Sequence, residues 1–285
     1  QEGCNQYCSY CIIPYARGPI RSRDLEDIIL ETERLARAGF KEIILSGIHV
    51  ASYGKDLRNV TLTDVIEEVA KIDEIRRIRL SSIEPTFIDR NFMERVISTK
   101  KLCDHFHLSL QSGSNTVLKR MNRKYTTEDY QEIVNLIREY MPDAGITTDI
   151  IVGFPGETDE EFNETYQFVK DIHFSRIHVF KYSPRKGTPA SKFKDQIHGD
   201  IKNERSDRLI HLGEELMKDF NKRFVGRTLE VLLEDKKDGF IEGYTTNYIR
   251  VKVKYEYEDD LQGRVLPIKT TRYDEDFLLG EIEEF

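Results

Sequence analysis

Three thiols lie within a few residues at the start of the sequence, in Gly3-Cys4-Asn5-Gln6-Tyr7-Cys8-Ser9-Tyr10-Cys11. The C-x3-C-x2-C gaps are short enough for one loop to gather the sulfurs around one small inorganic object. A disulfide uses sulfurs in pairs, and a structural zinc normally takes a fourth ligand. A cubane iron–sulfur cluster is commonly held by four thiolates, so three leave one iron open for a substrate. Two readings follow from the residues: a cluster with an open iron, or a zinc site completed by Cys103 or a histidine.

The fourth cysteine, Cys103, stands alone. A triplet with a distant singleton points to a metal site in a reducing compartment, which predicts a cytoplasmic protein. No apolar run approaches the roughly 20 residues of a membrane span, and no signal peptide is visible. Cys4 comes so early that the chain reads as an excerpt of a longer protein. A net charge of −8 over 285 residues argues against coating nucleic acid by bulk charge. A local basic path is still available. Lys119, Arg120, Arg123 and Lys124 crowd one stretch, Arg17, Arg21 and Arg23 follow the cysteines, and Arg185 and Lys186 come later. Taken singly, each run is a solvated face.

Helical and strand patterns alternate through most of the chain. An amphipathic helix is predicted over 23–38 with Ser22 as N-cap, then a strand over 41–46. A helix capped by Thr61 or Thr63 follows, then a strand over 77–82, a helix over 89–98 and a strand over 105–111. Next come a short helix over 115–121, a longer one capped by Thr126 or Thr127, and a strand over 145–154. Thr158 and Glu161 form a capping box for the next helix. A strand over 176–182 and a long charged helix over 201–224 complete this part. The alternation predicts an α/β fold with a parallel sheet, arranged as a partial (β/α)6 barrel over residues 1–225. Polar loops fall at the C-terminal ends of the strands, where such folds gather their chemistry. From 226 to 285 short alternating strands, one of them over 248–257, predict a small all-β barrel. That part is acidic, with nine Lys and Arg against fifteen Asp and Glu.

The stretch 3–23, from Gly3-Cys4 through Ile12-Ile13-Pro14-Tyr15-Ala16-Arg17-Gly18 to Arg23, resembles the cluster loop of the radical S-adenosylmethionine (radical SAM) methylthiotransferases. So do Ser81-Ser82-Ile83-Glu84-Pro85 and the stretches 110–127, 149–158 and 178–190, in the same order. The C-terminal part is similar to the TRAM domain of those proteins, a small RNA-binding barrel. The resemblance covers essentially the whole chain. Residues 12–18 are most similar to the type that acts on N6-threonylcarbamoyladenosine-37 beside the anticodon of tRNA. It implies addition of a 2-methylthio group through a 5′-deoxyadenosyl radical. The other substrates of the family are isopentenyladenosine-37 of tRNA and a ribosomal-protein aspartate. A zinc-stabilised RNA-binding protein without catalysis is the reading from another class.

The resemblance also implies cofactors and contacts. Cys4, Cys8 and Cys11 would hold a [4Fe-4S] cluster whose open iron takes S-adenosylmethionine. Tyr10 would contact adenine. Ser46 and Gly47 would meet the SAM amino group through backbone carbonyls, because the family's Gly-Gly-Glu is not there. Ser82, Glu84, Gln111 and Ser112 would line the methionine or ribose. Arg123 suits the SAM carboxylate, since guanidinium binds carboxylate bidentately. Ile151, Val152 and Gly153 would bed the adenine, with Phe180 and Tyr182 beside it. A second [4Fe-4S] cluster, the sulfur donor, belongs to an N-terminal domain outside this sequence. The implied partners are the tRNA anticodon stem-loop and an electron donor such as a flavodoxin or ferredoxin, with neither membrane nor DNA. Tyr248, Arg250 and Lys252 are the expected RNA contacts of the acidic barrel.

Overall fold

Strands such as Arg77-Ile78-Arg79-Leu80 and His105-Phe106-His107 alternate apolar and polar residues, so one sheet face can be buried under helices while the other carries the polar groups. A computed structural model of the chain, describing residues 1–255 and 260–283, has this arrangement. Helix α1 (Ile13–Arg17) follows the cysteines, and α2 (Leu25–Arg37) precedes strand β1 (Glu42–Leu45). Then come α3 (Leu62–Ala70), β2 (Arg77–Leu80), α4 (Arg90–Ser98), β3 (His105–His107), α5 (Asn115–Arg120) and α6 (Thr127–Tyr140). Strand β4 (Gly145–Val152), α7 (Asp159–Ile172), β5 (Arg176–Lys181) and α8 (Gly199–Lys222) follow. Parallel pairs β1–β2, β3–β4 and β4–β5 are joined into one row by the single bridges Ile78–Leu102 and Ile83–Leu108. The described residues thus contain five parallel strands, one fewer than a full (β/α)6 barrel has.

Ile43, Leu45, Ile78, Leu80, Phe106, Leu108, Ile146, Ile150 and Val152 point into one core under the helices. The intervening residues, among them Glu42, Arg77, Arg79, His107 and Asp149, take the other face, by the period-two rule. Capping boxes start three of the helices: Thr61 with Asp64, Thr126 with Asp129 and Thr158 with Glu161. Ser22 does not cap α2. Its N–H and hydroxyl both donate to Asp56, at 2.8 and 2.6 Å, and Asp24 takes the N-cap position without a side-chain bond. The carboxylate was the stronger acceptor, because a charged partner strengthens a hydrogen bond.

The second part is a closed five-stranded barrel of β6 (Thr228–Lys237), β7 (Phe240–Thr245), β8 (Arg250–Lys254), β9 (Val265–Asp274) and β10 (Phe277–Ile282). Its order is β10-β8-β7-β6-β9, with β8 and β10 parallel and every other pair antiparallel. The strand expected over 248–257 ends in residues that lie outside the described ones. Val231, Leu233, Ile241, Val251, Ile268 and Leu278 fill the interior, with Phe220 from α8 and Phe224 just after it.

The barrel sits against the N-terminal ends of the parallel strands, the end away from the cysteines. Arg77 and Arg79 both pair with Glu42 at 2.8 Å and donate to the carbonyls of Tyr244, Thr245 and Thr246. Tyr248 stacks on His105 with centroids 4.6 Å apart, under the Arg79 guanidinium.

Candidate active site

The cysteine loop is held by backbone geometry and by two distant segments. Gly3 has φ +71°, and a Cβ there would fall 1.9 Å from the Pro19 carbonyl oxygen, so this turn demands glycine. The Cys4 N–H donates to Gly18 O and the Cys11 N–H to Cys8 O, at 3.2 and 3.0 Å. Tyr7 is left-handed (φ 50°), and its carbonyl accepts from the Asn122 amide at 2.9 Å. Ser9 donates its N–H to Met121 O and its hydroxyl to Arg120 O, while its carbonyl accepts the Ala190 N–H. The loop therefore hangs on the α5–α6 turn and on the segment after β5. Beside it is the strand-end loop that carries Glu84, which Arg123 links to Cys8.

Cys4 and Cys8 are buried, Cys11 is half-buried, and all three are free thiols. Burial pushes the Cys4 thiol up, the Gln6 N–H draws it back, and Cys8, Cys11 and Glu84 raise it further. Burial is also the main cause of the raised Cys11 thiol. Three thiolates packed together repel one another, and a positively charged metal centre removes that cost by deprotonating its ligands outright. Among the described residues no three His, Cys, Asp or Glu side chains converge as ligands of one ion. A cubane spreads its thiolates over separate irons, so its ligands stand farther apart than those of one zinc. The donor set, soft sulfur only, fits the cluster, and Cys4, Cys8 and Cys11 would hold it.

Beside the thiols lies a buried charged network. Arg123 directs Nη1 to Cys8 Sγ at 3.3 Å, Nε to the Tyr125 hydroxyl at 2.9 Å, and Nη2 to Glu84 Oε2 at 3.3 Å and Ser109 O at 3.4 Å. Glu84 also meets His49 Nε2 at 3.1 Å, and His49 Nδ1 is bonded to the Ser52 hydroxyl. Burial works to raise the Glu84 carboxyl, but the His49 bond and the Arg123 charge outweigh it and hold the group ionised. Arg123 itself is pushed up: burial works against its charge, but Tyr125, Tyr10, Glu84 and Cys8 around it prevail. Its guanidinium, placed against a ligand sulfur, has one N–H without a partner among the described residues.

The remaining candidates divide. Tyr10 packs among Val117, Met121, Phe154, Tyr182 and Ala190, and burial pushes its phenol well up. Ser46 is exposed at the end of β1, its carbonyl facing the amino group of Gln1 at 3.3 Å, and a Cβ on Gly47 would meet Gln1. Ser82 is exposed. Gln111 has φ 69° and bonds through its backbone to Asp149 and Ile151. Gly153 is left-handed too (φ 68°), and its N–H donates to Glu157 at 2.7 Å. Ile151 and Phe180 lie on the polar face, Phe180 52 % exposed, and Tyr182 meets Phe154 edge-on. Two candidates turn away from the site. Ser112 is fully buried, its hydroxyl beside Thr165 of α7. Val152 points into the helix-covered core because strand alternation sends it opposite to Ile151. Tyr248 is engaged in the seam with the barrel. Arg250 pairs with Glu242 and, at 3.6 Å, Asp276, and Lys252 lies over the Phe277 ring at 4.1 Å. His49, Tyr125 and Asn122 were not singled out from sequence, and no spacing pattern ties them to the cysteines.

Three free thiols thus lie in one loop at the C-terminal ends of parallel strands, with Arg123 on one of them and Glu84 behind it. Residues 1–169 match the Radical SAM superfamily, and the chain belongs to that superfamily. It is 43 % identical over 275 residues to "Threonylcarbamoyladenosine tRNA methylthiotransferase MtaB" of Bacillus subtilis (strain 168), covering 94 % of this chain and 60 % of the relative. It is 44 % identical over 273 residues to "tRNA-2-methylthio-N(6)-dimethylallyladenosine synthase" of Pelotomaculum thermopropionicum, with the same two shares covered. The chain thus spans about three fifths of the length of these curated relatives. Among solved structures, coproporphyrinogen III oxidase (HemN) from Escherichia coli shares the fold with a TM-score of 0.56 at 17 % identity, over 79 % of this chain and 52 % of that one. TsrM from Kitasatospora setae has a TM-score of 0.56 at 19 % identity, over 66 % of this chain and 37 % of that one.

The superfamily works with a [4Fe-4S] cluster and S-adenosylmethionine, which together supply one-electron cleavage of a sulfonium. The chain's own part is to keep water from the thiols by burial, to hold Glu84 ionised, and to fix Arg123 beside one ligand sulfur. A hydrogen bond to a ligand sulfur is one of the levers that set cluster potential.

Proposed function

We propose that the chain is the radical and barrel portion of a tRNA methylthiotransferase that adds a 2-methylthio group to N6-threonylcarbamoyladenosine-37. The observation that carries this reading is the buried three-thiol loop with Arg123 on Cys8 and Glu84 behind it. The name of the Bacillus subtilis relative and its 43 % identity support the substrate. Residues 1–225 form the radical SAM domain and 226–285 a TRAM-type RNA-binding domain. Tyr10, Ser46, Gly47, Glu84, Gln111, Arg123, Ile151, Gly153 and Phe180 surround the bound SAM. The second cluster, the sulfur donor, belongs to the part of the relatives' length that this chain does not match. The partners are the anticodon stem-loop of tRNA and a small cytoplasmic electron donor of the flavodoxin or ferredoxin kind.

A second reading has the same chemistry on dimethylallyladenosine-37, because relatives named for that product reach 44 % identity. Two experiments test the proposal. Anaerobic reconstitution with iron and sulfide should give a brown protein that releases 5′-deoxyadenosine from SAM, and Cys8→Ala should abolish both. A colourless protein that binds zinc and leaves SAM intact would overturn it. Mass spectrometry of tRNA from cells lacking the gene should show loss of the methylthio group on threonylcarbamoyladenosine. Loss on dimethylallyladenosine instead would favour the second reading.

A further inference from the structure

Stretches 3–23, 115–124 and 183–198 carry eleven Lys and Arg against one acid, Asp195, in a chain whose net charge is −8. The fold brings the three together around the cysteines. Asn122 donates to Tyr7 O at 2.9 Å and receives Lys124 Nζ at 2.7 Å. Ala190 N–H donates to Ser9 O, and a Cβ on Gly187 would lie 3.6 Å from Ile12. Several cations here are used internally: Arg21 pairs with Glu2, Arg120 with Glu161 and Arg123 with Glu84. Others are exposed. Among the described residues Arg17, Lys119, Lys124, Arg185, Lys186 and Lys192 have no carboxylate within ion-pair distance. Tyr7 and Tyr15 stand among them, 51 % and 59 % exposed, with ring centroids 6.0 Å apart.

The small barrel offers the opposite surface. It is acidic overall, and Arg227, Lys236, Arg250 and Arg272 are each tied to a carboxylate. Its seam lies at the other end of the parallel strands from the cysteines. At the mouth of the site these six exposed cations lie beside two exposed rings, which can stack unpaired bases.

We propose that the RNA backbone is gripped by this cationic rim of Arg17, Lys119, Lys124, Arg185, Lys186 and Lys192, with Tyr7 and Tyr15 as stacking platforms. It rests on the reading above that the substrate is RNA. The acidic barrel then contributes little to the electrostatic part of binding. The rim lies next to the thiol loop, so a phosphate held there delivers an unstacked loop base to the thiols. Most affinity for single-stranded RNA is counterion release, and each lost phosphate contact removes about 0.7 from the slope of log K against log salt.

The test uses the cluster-loaded chain and a synthetic RNA hairpin with an adenosine in its loop, titrated at several salt concentrations. The charge reversals Lys119→Glu with Lys124→Glu, and Arg185→Glu with Lys186→Glu, should each weaken binding about tenfold or more near 0.1 M salt. Each should flatten the salt slope by about one to two. Reversal of Arg264 and Lys269 on the barrel should change affinity by less than about threefold. Rim variants that bind like the parent, or a parent that does not bind the hairpin at low salt, would overturn the proposal. The neutral pairs Lys119→Gln with Lys124→Gln, and Arg185→Gln with Lys186→Gln, keep the test decisive if a reversal impairs folding. SAM cleavage by the same samples separates the two ideas. Intact cleavage with RNA bound by the barrel sinks only the rim. RNA held by the rim with no cleavage sinks only the functional reading.

Discussion

Glu84 and Arg123 sit at 5 % and 7 % side-chain exposure, and Arg123 shares with His49 the compensation of the buried Glu84 charge. Removing one member of a buried pair leaves the other charge stranded and costs about 3 kcal/mol. Glu84→Gln should lower unfolding stability by that amount, read from urea titration, and should leave Arg123 leaning on Cys8. Unchanged stability would mean that His49 and Tyr125 suffice. Cys103 gives a pH prediction. Burial pushes its thiol up to about 12, against an ordinary value of 9.0. Below about pH 9 the thiol is protonated in both states and the fold keeps its full advantage; above it only the unfolded chain ionises. That advantage is lost as the pH rises toward about 12, at about 1.4 kcal/mol per pH unit. Cys103→Ala should flatten this alkaline decline in denaturant midpoints, and an identical decline in the variant would refute it.

At the level of elements, α3, α6 and α7 start where their capping signals lie. Thr158 accepts the Glu161 N–H at 3.2 Å while Glu161 reaches back to the Thr158 N–H at 3.0 Å, so α7 has both bonds of its box. Thr158→Ala should cost about 1 kcal/mol, measured by chemical denaturation, and a cost near zero would show that packing against α8 alone fixes the start. The strands behave differently. β3 is short: the predicted strand over 105–111 continues past His107 only as single bridges at Leu108 and Gln111, the latter with φ 69°. That break turns Ser112 toward α7 and leaves the Ser109 carbonyl for Arg123.

At the scale of the molecule, the seam between sheet and barrel is built from charges. Arg79 is 3 % exposed, shares Glu42 with Arg77, and reaches the carbonyls of Thr245 and Thr246. Arg79→Met should leave Glu42 half-compensated and uncouple the two parts, so that urea unfolding resolves into two steps. One cooperative step at an unchanged midpoint would show that Arg77 and the Tyr248 stack hold the seam alone. Tyr248, an expected RNA contact, stacks on His105 in this seam and stays 41 % exposed.

The linear order of residues carried the three-thiol loop proposed to hold the cluster, the parallel α/β alternation, the Thr158–Glu161 capping box and the change to an all-β pattern near residue 226. All of these are local: thiol spacing, a period of two or 3.6, a hydroxyl three residues from a carboxylate. The partners of the cysteine loop were not legible. Ser9 finds Arg120, Met121 and Ala190, Tyr7 finds Asn122, and Arg123 chooses Cys8 and Glu84 over solvent. Contacts across more than a hundred residues depend on which loops the sheet brings to one end. Val152 and Ser112 could be assigned to a binding bed from sequence, yet strand phase and one left-handed glutamine decided that they face the core. The sequence determined which sulfurs can hold the cluster; only the tertiary structure decided what surrounds them, because burial and charge pairing belong to the assembled fold.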